Sequence, residues 1–142
     1  VKFLLDTCAI SELTKPAPHP GVVSWFAQQD ELALYLAAPS VGELKRGVEK
    51  LEDGKRKRFL RNWLAESVIE RFGARILPAD TDIFLRWGEM QAQLESRGKP
   101  MPPLDGLIAA TALHHQLTVV TRNTRDMEAS GASLFNPWDV TT

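Results

Sequence analysis

Short apolar runs alternate along this chain with longer stretches of helical periodicity, and that alternation confines it to a layered α/β fold. Residues 1–5, apolar apart from Lys2, predict a buried strand. Helical signals follow over 9–13, and Pro20 opens a helix over 22–29 with proline in its first turn. Residues 32–37 predict a second strand, closed by Pro39. Ser40 and Glu43 have capping-box spacing and start a helix to about residue 50. Residues 53–72 read as one long amphipathic helix, with Phe59, Leu60, Trp63, Leu64, Val68 and Ile69 at helical spacing and Gly73 ending it. A third strand over 74–77 and a helix over 80–97 follow. Pro102-Pro103 breaks the chain before 104–115, a helix apolar nearly all round and therefore buried. Residues 118–120 predict a fourth strand, 123–127 a short helix and 133–135 a last strand. Without a repeat, low-complexity tract or linker, residues 1–142 read as a single domain.

Strands separated by helices of this length form a mainly parallel sheet, and right-handed crossovers bring their C-terminal ends to one edge. Ligands bind at that edge, where the strand order reverses. Four acids fall there. Asp6 follows the first strand, Glu43 lies in the first turn of the helix after the second, Asp105 opens the buried helix before the fourth, and Asp126 follows the fourth strand with Asn123. Each also has a structural explanation: Asp6 as a helix cap, Glu43 as the return half of a capping box, Asp105 as a helix-start acid, Asp126 as a solvated side chain. One metal site accounts for all four together. Mg²⁺ takes oxygen ligands and keeps several waters, so it wants a few carboxylates rather than His or Cys. Crowded carboxylates repel one another until a divalent ion neutralises them. Such an ion can activate a water for in-line attack on phosphorus.

Composition excludes other classes. The single cysteine, Cys8, rules out an internal disulfide and a Cys-rich zinc site, and suits a reducing compartment. No stretch approaches the roughly 18 apolar residues of a membrane span, and the N-terminal run is too short for a signal-peptide core, so a cytoplasmic location is expected. His114 and His115 end a helix and His19 sits between prolines, so none is expected to bind metal. The net charge of −1 conceals a local surplus: residues 45–61 carry eight basic and three acidic side chains. That stripe is either a solvated helical face or a phosphate-contacting surface beside the acids.

Four segments, taken in order, resemble the PIN domain, and most of all the VapC-type toxins of bacterial toxin–antitoxin pairs. They are Leu4-Leu5-Asp6-Thr7-Cys8-Ala9-Ile10-Ser11-Glu12, Ser40-Val41-Gly42-Glu43-Leu44-Lys45-Arg46-Gly47, Leu104-Asp105-Gly106-Leu107-Ile108-Ala109-Ala110-Thr111-Ala112 and Thr121-Arg122-Asn123-Thr124-Arg125-Asp126. Asn136-Pro137-Trp138 is similar to the usual ending of that group. The resemblance covers essentially the whole chain. It implies a sheet of order 3-2-1-4-5 flanked by helices, and Mg²⁺-dependent cleavage of single-stranded or looped RNA, with Mn²⁺ able to substitute. Asp6, Glu43 and Asp105 match the three acids shared across the family. The fourth position is Asp126 or Asn123, with Asp126 preferred, and the Thr7 and Thr121 hydroxyls are placed to support the site unless they are ordinary turn residues. A cognate antitoxin protein and a homodimer are implied as partners. Trp25, Trp63 and Trp87 lie on apolar stripes and read as core, with a groove for an antitoxin helix near Trp25 and Trp63 as the alternative. A different reading keeps the fold without the chemistry, as a non-catalytic RNA- or protein-binding module. A dehalogenase-type phosphatase would need a second Asp after Asp6, where Cys8 stands, and a receiver domain would need paired acids there.

Overall fold

The computed structural model describes residues 1–139. Five parallel strands form one sheet of order β3-β2-β1-β4-β5, as the resemblance implies: β1 (Phe3–Leu5), β2 (Leu34–Ala37), β3 (Ile76–Leu77), β4 (Thr118–Val120) and β5 (Leu134–Phe135). Seven helices flank it: α1 (Thr7–Glu12), α2 (Pro20–Ala27), α3 (Ala38–Glu49), α4 (Lys55–Asn62), α5 (Thr81–Ser96), α6 (Pro103–His115) and α7 (Thr124–Met127). The strand order reverses between β1 and β4, because the chain leaves β1 toward β2 on one side and returns to β4 on the other.

Consecutive strand residues serve opposite faces. Leu4, Ala37 and Val119 pack with Met90, Leu94 and Ile108, whereas Leu5, Leu36 and Val120 pack with Ala9, Trp25 and Val68. Leu4, Leu5, Val119 and Val120 are all 0% exposed, so β1 and β4 are covered on both faces. This is why they read as continuous apolar runs rather than as alternating ones. Trp25 belongs to this core, edge-on to Phe3 and Phe26 at 5.0 and 5.1 Å. Trp63 and Trp87 are only half-buried.

Three local expectations are corrected. The Ser40–Glu43 capping box does not form. Pro39 takes an early helical position, α3 begins at Ala38, and Ser40 is carried inside the helix with its hydroxyl buried and unpartnered. The second strand is shorter than its apolar run, since Asp30 Oδ1 accepts the Leu32 N–H and folds residues 31–33 into a 3₁₀ turn. The helix expected over 53–72 starts only at Lys55, after an extended Gly54, and its second half, Trp63–Glu70, widens into π-helical geometry. Arg71 N–H accordingly reaches back five residues to the Glu66 carbonyl. Phe59 and Ile69 of its apolar stripe face solvent, at 55% and 46% exposure.

Helix α6 packs closely on α5, and Gly106 lies directly against the Trp87 ring of α5. A Cβ there would stand 2.8 Å from Trp87 Nε1 and 2.9 Å from Cδ1 of the same ring. The rigid indole cannot yield as a flexible chain end would. Gly106→Ala is therefore expected to destabilise the fold by about 1–2 kcal/mol, the overpacking exceeding the helix propensity that alanine adds. A shift in the urea midpoint at unchanged slope would show it.

Candidate functional site

Strand β1 ends at the reversal point, and the next residue is Asp6. Its N–H donates to the Val120 carbonyl at 2.9 Å, so the sheet ladder fixes its backbone. In extended conformation it caps α1, Oδ1 accepting the Thr7 N–H at 2.8 Å. The other oxygen, Oδ2, accepts from the buried Thr121 hydroxyl at 2.7 Å, and Thr121 Oγ1 in turn accepts the Asn123 N–H at 3.0 Å. The expected capping role is thus real, yet it occupies only one oxygen of a carboxylate that is 5% exposed.

Glu43 projects from the second turn of α3, where its Oε1 accepts from Thr7 Oγ1 at 2.8 Å. Asp105 is the third residue of α6 and half-buried, and Asp126 is exposed on α7. Burial pushes the Asp105 carboxyl up to about 6, and the negative charges of Asp6, Glu43 and Asp126 push it the same way. Asp105 therefore lies within electrostatic reach of the other three, although each of the four comes from a different element. The ion pairs among the described residues go to other acids: Glu12, Glu31, Glu49 and Asp53. Among the described residues no Lys or Arg forms an ion pair with any of the four. Equally, no three His, Cys, Asp or Glu side chains among the described residues stand close enough together, as placed, to hold a metal ion. An open, repelling set of carboxylates suits a hard cation that keeps much of its water, and would not suit zinc.

Both threonines, open to reading as plain turn residues, hold these acids. Thr121→Val keeps the shape but strips Asp6 Oδ2 of its donor and the Asn123 N–H of its acceptor. The expected result is a loss of about 1–2 kcal/mol in stability and roughly a 10–100-fold loss in metal affinity, measured by denaturation and by metal titration. Asn123 joins the network through its backbone N–H; no side-chain cap forms at α7. Cys8 lies beside the site, its Sγ 3.6 Å from Asp6 Oδ2. Burial and the Asp6 charge push its thiol up to about 11, which keeps it protonated and a poor nucleophile.

Glu12 escaped the sequence reading. It is 5% exposed, pairs with Lys15 at 2.9 Å and accepts the His19 N–H at 2.9 Å. Burial pushes its carboxyl up, but these hydrogen bonds and the charges of Lys15 and Arg122 outweigh that and hold it below the usual range. Its work is to anchor the turn after α1; His19 Nδ1 accepts the Gly21 N–H and caps α2. No spacing signal distinguishes a buried acid of this kind from a solvated one.

A reversal-point carboxylate braced by a buried threonine, with Asp105 feeling its charge and those of Glu43 and Asp126, defines a class as well as a fold. The chain belongs to the PIN domain family, whose pattern matches residues 3–130. Among its relatives, it is 40% identical over 136 residues to the Toxin FitB of Neisseria gonorrhoeae, covering 96% of this chain and 98% of that one. It is 39% identical over 137 residues to the VapC ribonuclease Y4jK of Sinorhizobium fredii, with 96% and 98% covered. The crystal structure of FitAcB from Neisseria gonorrhoeae superposes with a TM-score of 0.92 at 39% identity, covering 97% of this chain and 99% of that one.

Proposed function

We propose that the protein is a divalent-metal-dependent endoribonuclease, the toxin of a toxin–antitoxin pair, with Asp6, Glu43, Asp105 and Asp126 as its metal-binding and catalytic carboxylates. The observation that supports this reading is that Asp105 feels the negative charges of Asp6, Glu43 and Asp126, none of which has an ion-pair partner among the described residues. The PIN fold and the likeness to the VapC ribonuclease Y4jK support the nuclease class, and the likeness to Toxin FitB supports the toxin role. Mg²⁺, with Mn²⁺ as a substitute, fits an all-oxygen donor set.

Asp6 is the member whose orientation is fixed on both oxygens, and Glu43 is held by Thr7, so these two form the rigid wall of the site. Asp105 and Asp126 have no such braces and complete it from α6 and α7. When bound, the cation supplies Lewis acidity toward the phosphate and a more acidic water. Asn123 is the alternative to Asp126 in the fourth position.

The antitoxin partner is supported by a surface feature. An open depression of about 280 Å³ between α1, α2 and the helix after α4 is lined by Leu13, Phe26, Trp63, Val68 and Phe72. Half-buried Trp63 forms part of its wall, and such a trough accepts the apolar face of a helix. The homodimer implied by the resemblance is part of the same proposal and is checked by sedimentation. Among the described residues no helix is long and apolar enough to cross a membrane. A non-catalytic binding module is disfavoured because all three acids matched to the family are present.

The test is to induce the protein alone in cells and map new RNA 5′ ends against an Asp6→Asn control. New ends confined to the unaltered protein support the reading, and identical maps would remove it.

A further inference from the structure

The basic segment over 45–61 divides once its contacts are resolved. Lys45 and Arg61 both bind Glu49, at 3.1 and 2.7 Å, and hold its carboxyl down to about 2. Lys57 is buried, bonded to the Glu49 carbonyl and near Asp53. Arg56 donates to the Thr14 carbonyl at 2.7 Å. The side chains of Lys55 and Arg58, both exposed, have no hydrogen-bond or ion-pair partner among the described residues. On α4 they share one face with Phe59 and Asn62, at positions i, i+3, i+4 and i+7. Phe59 is 55% exposed, and anchored Arg56 stands 5.7 Å from its ring centroid.

An isolated exposed phenylalanine needs no explanation. A phenylalanine set among unpaired cations does, because aromatic rings with flanking positive charge are how proteins hold single-stranded nucleic acid. The location agrees. Leu60, next to Phe59, lines an open depression of about 230 Å³ whose other walls include Thr7, Glu43, Gly47 and Trp63. The helix that carries the platform therefore borders, through Leu60, a hollow that also reaches Glu43, one of the four acids. Arg46 and Lys50 prolong the positive surface on the Glu43 face of α3, again at i+3 and i+7.

We propose that the outward face of α4 is a docking platform for single-stranded RNA, with a base stacked on Phe59 and neighbouring phosphates held by Lys55 and Arg58. This rests on the ribonuclease reading and adds the residues that present the strand to the acids. A duplex buries its base faces, so the platform selects unpaired RNA by stacking while its cations act without regard to sequence.

The test is fluorescence anisotropy with a short labelled RNA of mixed sequence, single-stranded or annealed to its complement, in EDTA to prevent cleavage. Phe59→Ala is expected to weaken single-strand binding about 5–100-fold and duplex binding little, while Phe59→Tyr, which keeps the ring, restores it. Lys55→Ala with Arg58→Ala is expected to lower the slope of log affinity against log salt by about 1.4. Unchanged affinity in Phe59→Ala together with an unchanged salt slope in the double variant overturns the proposal. So does a Phe59→Ala defect confined to capture of the co-expressed antitoxin, which would assign the face to a protein partner. The two readings fail separately. Ring-dependent binding without cleavage under any divalent ion removes the nuclease and leaves the platform; normal cleavage and KM in Phe59→Ala does the reverse.

Discussion

Asp6→Asn is expected to reduce Mg²⁺-dependent RNA cleavage by purified protein at least about a thousandfold, equivalent to about 4 kcal/mol of transition-state stabilisation, while the fold survives. The substitution removes the charge at the one carboxylate that both the sheet ladder and the Thr121 hydroxyl hold in place. It leaves an oxygen to accept the Thr7 N–H and an amide that can donate to Thr121 Oγ1, so the stability loss should stay near 1 kcal/mol. Cleavage and melting temperature measured on the same preparations separate the two effects. Equal cleavage by both proteins, or cleavage that persists in EDTA, would mean that the activity is not that of this site.

Asp105→Asn should act in opposite directions on stability and function. The carboxyl, ordinarily at 3.8, sits near 6 in the folded chain because burial and three neighbouring acids disfavour its charge. A folded-state value above the unfolded one means that metal-free stability rises as pH falls from 7 through 6 toward 4, and that the full loss is present above 6. At pH 7.5 the variant should thus be more stable than the metal-free parent, by about 1 kcal/mol once solvent screening is allowed for, and that advantage should vanish near pH 4. A cation reverses the order. At a hundred times its dissociation constant Mg²⁺ should stabilise the parent by about 2.7 kcal/mol, and the variant much less. Melting curves at two pH values with and without Mg²⁺ read all of this. A variant that gains as much from Mg²⁺ as the parent would separate Asp105 from the ion.

The layout was legible because its causes are local. Strands buried on both faces, such as β1 and β4, leave unbroken apolar runs, and prolines before α2 and α6 mark helix starts. Given those elements, right-handed crossovers carry Asp6, Glu43, Asp105 and Asp126 to one edge. What was hidden depends on neighbours distant in the chain. Ser40 and Glu43 have the spacing of a capping box, but Pro39 starts the helix earlier and Thr7, 36 residues away, takes the Glu43 oxygen instead. Thr121 looks like a turn residue until β4 is laid beside β1. Phe59 falls on an apolar stripe by periodicity, yet in the folded chain it faces water, because no distant element among the described residues covers that side of α4. Burial of Glu12 is equally a product of its partners.

Mn²⁺ binding followed by electron paramagnetic resonance, on the parent protein and on Asp6→Asn, Glu43→Gln and Asp105→Asn singly, tests the shared cation without relying on any RNA. Saturable uptake by the parent, weakened at least about tenfold in each variant, is the predicted result. Undiminished uptake by all three variants would show that these carboxylates do not hold a common ion.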